Sequence, residues 1–108
     1  MIKYKIRFFF DWGTDCCLWS GNDAAEKQFG CGAIGYDKFN VSDELIQTLE
    51  KMADEYQSSL NWDYPPDPSP WSKEKKNEFM IRAKTAYDKL TKELGSNYEV
   101  EFLVELPE

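Results

Sequence analysis

The 108-residue sequence contains no histidine, so cysteines and acids are its main candidates for nucleophilic or metal-binding chemistry. Cys16 and Cys17 offer a thiol nucleophile, but a thiolate needs an activating base, and no carboxylate or lysine stands at a spacing that indicates one. Buried structural thiols explain this pair better. Zinc would need a fourth ligand besides Cys16, Cys17 and Cys31, so we predict no metal and no other cofactor.

Carboxylates near tryptophans suggest a second chemistry. The aspartates concerned are Asp11, Asp15, Asp63 and Asp67. Two carboxylates can hydrolyse a glycosidic bond when one acts as acid and the other as base or nucleophile, provided their separation is right. The sequence does not fix that separation. A small enzyme or carbohydrate-binding module is therefore one alternative function.

The segment from Trp62 to Trp71 contains four of the five prolines and two of the four tryptophans. Each proline fixes its own φ and favours extended geometry in the residue before it, so the segment has few accessible conformations. A rigid segment loses little entropy when it binds, which favours a recognition role. In the alternative interpretation the rings fold inward and the prolines only shorten the connection. The predicted contact residues are Asp63, Tyr64, Asp67 and Trp71.

Acidic charge continues from this segment onto the preceding helix, where Glu50 and Asp54 share an outward stripe. The net charge of the chain is −7. This charge disfavours nucleic acid and anionic membranes as partners, and it favours a basic protein through electrostatic steering. We therefore predict that Glu50 and Asp54 attract a basic protein partner. The alternative is that they only solvate the helix.

Both ends of the chain alternate between apolar and charged residues, as strands do. The polar positions near the start are basic, and those near the end are acidic. Opposite charges on neighbouring strands stabilise their pairing. A parallel register places three pairs side by side: Lys5 with Glu99, Arg7 with Glu101, and Phe9 with Leu103. An antiparallel register gives fewer matches and is the alternative.

Two long helices and one short helix are predicted between these strands. Ser42 is the expected N-cap of the first long helix, and Ser69-Pro70 the expected start of the second, which ends at Gly95. Ser20 or Asn22 caps the short helix. Residues 16–19 are a candidate third strand, and residues 32–40 are expected to be loop.

This order of elements predicts an α+β fold in one domain, residues 1–108, with the terminal strands paired and the helices on one sheet face. Free thiols and an odd number of cysteines indicate a reducing cytoplasm. No stretch is apolar enough for a signal peptide or a membrane helix.

The segment Leu60–Trp71, LNWDYPPDPSPW, together with CLWS at residues 17–20 and NDAA at residues 22–25, resembles a group of small bacterial proteins of similar length. Small acidic domains of this kind are similar to the immunity proteins that accompany secreted or contact-delivered toxins. The resemblance implies a non-enzymatic protein that binds and neutralises a basic toxin domain. A structural homodimer subunit is the remaining alternative.

Overall fold

A computed structural model describes residues 3–14, 16–60, 62–63 and 68–106. Three strands and three α-helices confirm the predicted α+β class. In chain order the elements are β1 (Tyr4–Phe8), β2 (Leu18–Ser20), α1 (Asp23–Phe29), a 3-10 helix (Tyr36–Lys38), α2 (Asp43–Gln57), α3 (Lys73–Leu94) and β3 (Tyr98–Phe102). None of the described helices combines the length and the apolar character needed to cross a bilayer.

The three strands form one sheet in the order β2-β1-β3, so the first strand lies at its centre. β1 and β3 are parallel, and Lys5 pairs with Glu99 while Arg7 pairs with Glu101. The Nζ of Lys5 lies 3.4 Å from a carboxylate oxygen of Glu99. The register predicted from the charges of the two terminal strands is therefore confirmed.

The third strand lies slightly later than predicted. β2 begins at Leu18 and runs antiparallel to β1. Before β2, the Cys17 carbonyl still accepts from the amide of Phe9, but the amide of Cys16 turns to the Thr14 hydroxyl instead of to β1. Within the expected loop, Ala33 forms an isolated bridge with Trp19, and a 3-10 helix follows.

Side-chain caps begin the three α-helices. The Asn22 side chain accepts from the amide of Ala25, and Ser42 caps α2 as predicted. The start predicted for α3 is wrong. Ser72, rather than Ser69, accepts from an amide of the first turn, because the intervening Trp71 is drawn into the core.

The core lies between one face of the sheet and the helices. Alternation within β1 turns Ile6 and Phe8 toward the helices, and both side chains are fully buried. Val100 of β3 joins them from the neighbouring strand, while Phe79 and Leu90 of α3 close the other side. Large rings fill much of this space, and Phe10 packs edge-on against Phe79 at 5.4 Å between centroids. The helices therefore cover a single sheet face.

Candidate partner-binding surface

The indole N–H groups of three tryptophans converge on the last residues of α2 and the turn after it. Their rings come from the loop after β1 and from the two ends of the proline-rich segment, so two parts of the chain meet at the end of α2. The bonds are Trp12 Nε1 to Ser59 Oγ (3.0 Å), Trp62 Nε1 to the Gln57 carbonyl (2.6 Å) and Trp71 Nε1 to Ser58 Oγ (2.9 Å).

This convergence has a local cause in the backbone of α2. The last carbonyls of a helix have no partner within the helix and form its negative end, so N–H donors are favoured there. The Trp62 indole satisfies the Gln57 carbonyl directly. Ser58 and Ser59 each turn a hydroxyl back to a carbonyl of the last turn while accepting an indole proton. The end of α2 therefore fixes the orientation of the rings around it.

The three rings differ in their exposure. Trp71 is only 7% exposed and packs against Phe79 at 5.2 Å, whereas Trp12 is half-buried against Tyr56. Trp62 is 56% exposed. Trp71 is a predicted contact residue, but its ring lies in the core, and the exposed ring is that of Trp62. A contact between Trp71 and a partner stays a prediction.

One side chain joins the loop after β1 to α2. The amide nitrogen of Gln57 donates to the carbonyls of Asp11 and Thr14, each at 3.0 Å, and its amide oxygen accepts from Gly13 at 2.7 Å. Gly13 has a φ of +85°, a conformation that suits glycine. These bonds hold the loop after β1 against the end of α2. Asp54, Gly13 and Gln57 line a shallow depression at this junction.

The acids of the predicted site lie along the exposed side of α2 and beyond its end. Glu50, Asp54 and Asp63 are all exposed. Within the described part of the chain, neither Glu50 nor Asp54 forms an ion pair. Glu55, on the neighbouring side of the helix, pairs instead with Arg82 of α3. Two other predicted contact residues, Tyr64 and Asp67, lie outside the described residues.

An acidic groove of about 590 Å³ lies between the 3-10 helix and the first half of α2. Glu50 and Asp43 line it from the helix, and Asp37 lines it from the 3-10 helix. Asp37 was missed by the sequence analysis because its segment has no periodic pattern, and only tertiary folding brings it beside α2. We use the name acidic surface for the set Asp37, Asp43, Glu50, Asp54, Trp62 and Asp63.

The thiols of Cys17 and Cys31 are not activated for nucleophilic chemistry. Burial, opposed by the hydrogen bond with Tyr36 and reinforced by Cys16, raises the pKa of the Cys17 thiol to about 12. Exposed Cys31 donates to Glu26, and this hydrogen bond raises its pKa as well. Both thiols are therefore protonated at neutral pH. Among the described residues, no group of three or more Cys, Asp or Glu side chains is placed to hold a metal ion.

Comparison with known proteins gives one informative match. A family model described as "Serratia CdiI immunity protein-like" matches residues 4–105, which is nearly the whole chain. A search of curated proteins finds no match. The matched range contains all three strands and all three helices, together with the acidic surface. The chain therefore belongs to the Serratia CdiI immunity protein-like family.

Proposed function

We propose that this protein is a non-enzymatic immunity protein of the cytoplasm, which neutralises a toxin of contact-dependent growth inhibition by binding a basic surface on it with the acidic surface. Family membership supports an immunity role in general. The observation that carries the finer proposal is the presence, on α2, of Glu50 and Asp54 without an ion pair among the described residues, together with a fixed, exposed indole at the end of the same helix. Such a surface suits a cationic partner.

The acids and the ring have different tasks in this proposal. Glu50 and Asp54 supply the field that speeds the encounter, since charges of one sign raise the rate of association with an oppositely charged protein. Asp37 and Asp43 extend the same field along the groove. These charges determine the rate and orientation of association more than the final affinity.

Trp62 supplies the central contact. Tryptophan is enriched among residues that dominate binding energy, because it buries a large rigid area. The bond from its indole to the Gln57 carbonyl holds the ring before the partner arrives, so less conformational entropy is lost on binding. Asp63 follows directly and is exposed. Tyr64 and Asp67 remain proposed neighbours of this contact. Buried Trp71 donates its indole N–H to Ser58, next to Gln57, and so helps to fix the end of α2.

The proposal is tested by measuring association with the contact-dependent growth inhibition toxin domain against which this protein protects its cell. In the variant Glu50→Lys/Asp54→Lys we expect the association rate at low salt to fall by about tenfold or more. The wild-type rate falls as salt is added, and the variant's rate depends on salt much less. Stopped-flow mixing over a salt series measures both.

The matched control is Glu74→Lys/Asp88→Lys, which makes the same change in net charge at two exposed positions of α3. The control is expected to retain most of the wild-type rate. Equal rates for the two double variants would show that only net charge matters, and a wild-type rate that ignores salt would remove the steering role altogether.

A further inference from the structure

The sheet face turned away from the helices carries a second, separate set of exposed and half-buried side chains. Because side chains alternate along a strand, the residues next to buried Ile6, Phe8 and Val100 point to this side. We call it the outer face. Its residues are Lys5, Arg7 and Phe9 of β1 and its extension, Trp19 of β2, and Glu99, Glu101 and Leu103 of β3 and its extension.

Apolar surface is exposed at one end of the outer face. Phe9 and Trp19 stack with their centroids 4.7 Å apart and their planes within 7°. The indole nitrogen of Trp19 donates to the Phe9 carbonyl, which fixes the stack. On the other side of Phe9, Leu103 is 43% exposed. Phe9 and Trp19 are half-buried, and with Leu103 they form a contiguous apolar patch that is partly open to solvent, as docking surfaces are.

The charges of the outer face are balanced and ordered by strand. Lys5 and Arg7 form a cationic row on β1, and Glu99 and Glu101 form an anionic row on β3. The two rows are in register because the strands are parallel. Each cation thus stands beside one acid.

This register makes the outer face complementary to itself. Consider a two-fold axis that runs parallel to the strands, midway between β1 and β3, just above the face. The axis places β1 of one copy over β3 of the other without changing the level of any residue along the strands. The facing pairs are then Lys5 with Glu99, Arg7 with Glu101, and Phe9 with Leu103.

We propose that the outer face is a self-association surface, whose occupant is a second copy of this chain. Two-fold symmetry is the commonest arrangement of soluble homo-oligomers, and stacked sheets pack about 10 Å apart with their strands nearly aligned. Across the interface, Lys5 and Arg7 each gain a second acidic neighbour, and Phe9 is buried against Leu103 of the other copy. The contact is small by the standards of stable complexes, so the dimer is weak, with a dissociation constant in the micromolar range or above.

A pair of complementary variants tests the symmetry directly. Lys5→Glu/Arg7→Glu makes the outer face wholly acidic, and Glu99→Lys/Glu101→Lys makes it wholly basic. Analytical ultracentrifugation of the wild type is expected to show a monomer–dimer equilibrium. Each variant alone stays monomeric, whereas an equimolar mixture forms a one-to-one heterodimer. Far-UV circular dichroism and thermal unfolding confirm that each variant is folded.

Leu103→Asp provides a second route that leaves both charged rows intact. Because Leu103 is exposed, this variant is expected to fold, and it should weaken dimerisation at least tenfold. A wild type that stays monomeric at high concentration would overturn the proposal, as would a mixture of the two charge variants that fails to associate.

Toxin binding separates this inference from the proposed function. The charge variants of the outer face are expected to bind the toxin with nearly wild-type affinity. If they lose toxin binding while the wild type does not self-associate, the outer face belongs to the toxin and the dimer is excluded. If the wild type dimerises but Glu50→Lys/Asp54→Lys associates with the toxin normally, the proposed function fails and the dimer stands.

Discussion

The acidic surface and the outer face present charge in opposite ways. On the acidic surface, Glu50 and Asp54 have one sign and no ion-pair partner within the described residues. On the outer face, every acid of β3 stands beside a cation of β1. Both surfaces also carry a tryptophan, which is the exposed Trp62 in one case and the half-buried Trp19 in the other.

This difference shows that the arrangement of charge, as well as its amount, indicates the kind of partner. A surface of one sign repels its own copy and attracts an oppositely charged protein. A surface with ordered charges of both signs has little net field, so it does not steer a distant partner, but it can match its own copy at close range. Predictions that separate the two surfaces follow, in order of expected effect.

The largest expected effect is the difference in the free energy of unfolding between variants that remove Trp71 and Trp62, and it tests which ring belongs to the acidic surface. Trp71→Ala is expected to lower the free energy of unfolding by about 3–5 kcal/mol, because it removes a buried ring that packs against Phe79. Trp62→Ala, the matched variant, removes a largely exposed ring and should cost about 1 kcal/mol or less. Urea denaturation measures both. Equal losses would mean that Trp62 is a core residue, which would remove the ring from the acidic surface.

A smaller effect concerns the buried thiol of Cys17, which contacts Tyr36 in the lining of the acidic groove. Cys17 has an ordinary pKa of 9.0 when unfolded and about 12 when folded, because burial disfavours the thiolate. The stability that this group contributes is fully present below pH 9. It is lost as the pH rises toward 12, since the unfolded state then releases a proton that the folded state keeps.

We therefore expect the free energy of unfolding, measured with reductant present, to fall by about 1 kcal/mol between pH 8 and pH 10 through Cys17. Cys17→Ala should remove most of that loss. Cys31→Ala, at an exposed position, is the control and should keep most of it. A loss unchanged in Cys17→Ala would assign the alkaline sensitivity to other groups, such as Tyr56, whose pKa burial also raises to about 12.

The smallest effect compares single charges on the two surfaces. Lys5→Glu places like charges side by side on β1 and β3, and it should lower the free energy of unfolding by about 0.2–1 kcal/mol. Glu50→Lys breaks no ion pair of the described structure and should change stability by about 0.5 kcal/mol or less. Thermal unfolding at low salt compares the two. If Glu50→Lys proves the more costly, Glu50 has an internal partner and the acidic surface is not uncompensated.

Most of the fold could be predicted because its signals are local or repetitive. The alternating charges of the terminal strands determine both their pairing and their register, and a cap such as Ser42 marks its helix within a few residues. The start of α3 could not be predicted in this way. Ser69 and Ser72 are both suitable caps, and the choice between them depends on Trp71 packing against Phe79, a contact that sequence spacing does not reveal.

The exposure of the candidate site residues was predicted in part, for a similar reason. Glu50 and Asp54 follow from helical periodicity, so their exposure was foreseeable. Trp62 and Trp71 are equivalent in the sequence, each at one end of the same proline-rich segment. What distinguishes them is the end of α2, where one ring is held by a backbone carbonyl and stays outside while the other enters the core. Such a distinction requires the coordinates.

The gathering of three indoles at the end of α2 also has an optical consequence. The fourth tryptophan, Trp19, lies on the other side of the sheet. Three of the four fluorescent indoles of this protein are therefore bonded to residues at the end of α2. Trp62 is the member most accessible to a quencher, and anionic quenchers are repelled by the acids around it. Binding of a partner at the end of α2 is therefore expected to change the tryptophan fluorescence, so it can be followed without a label.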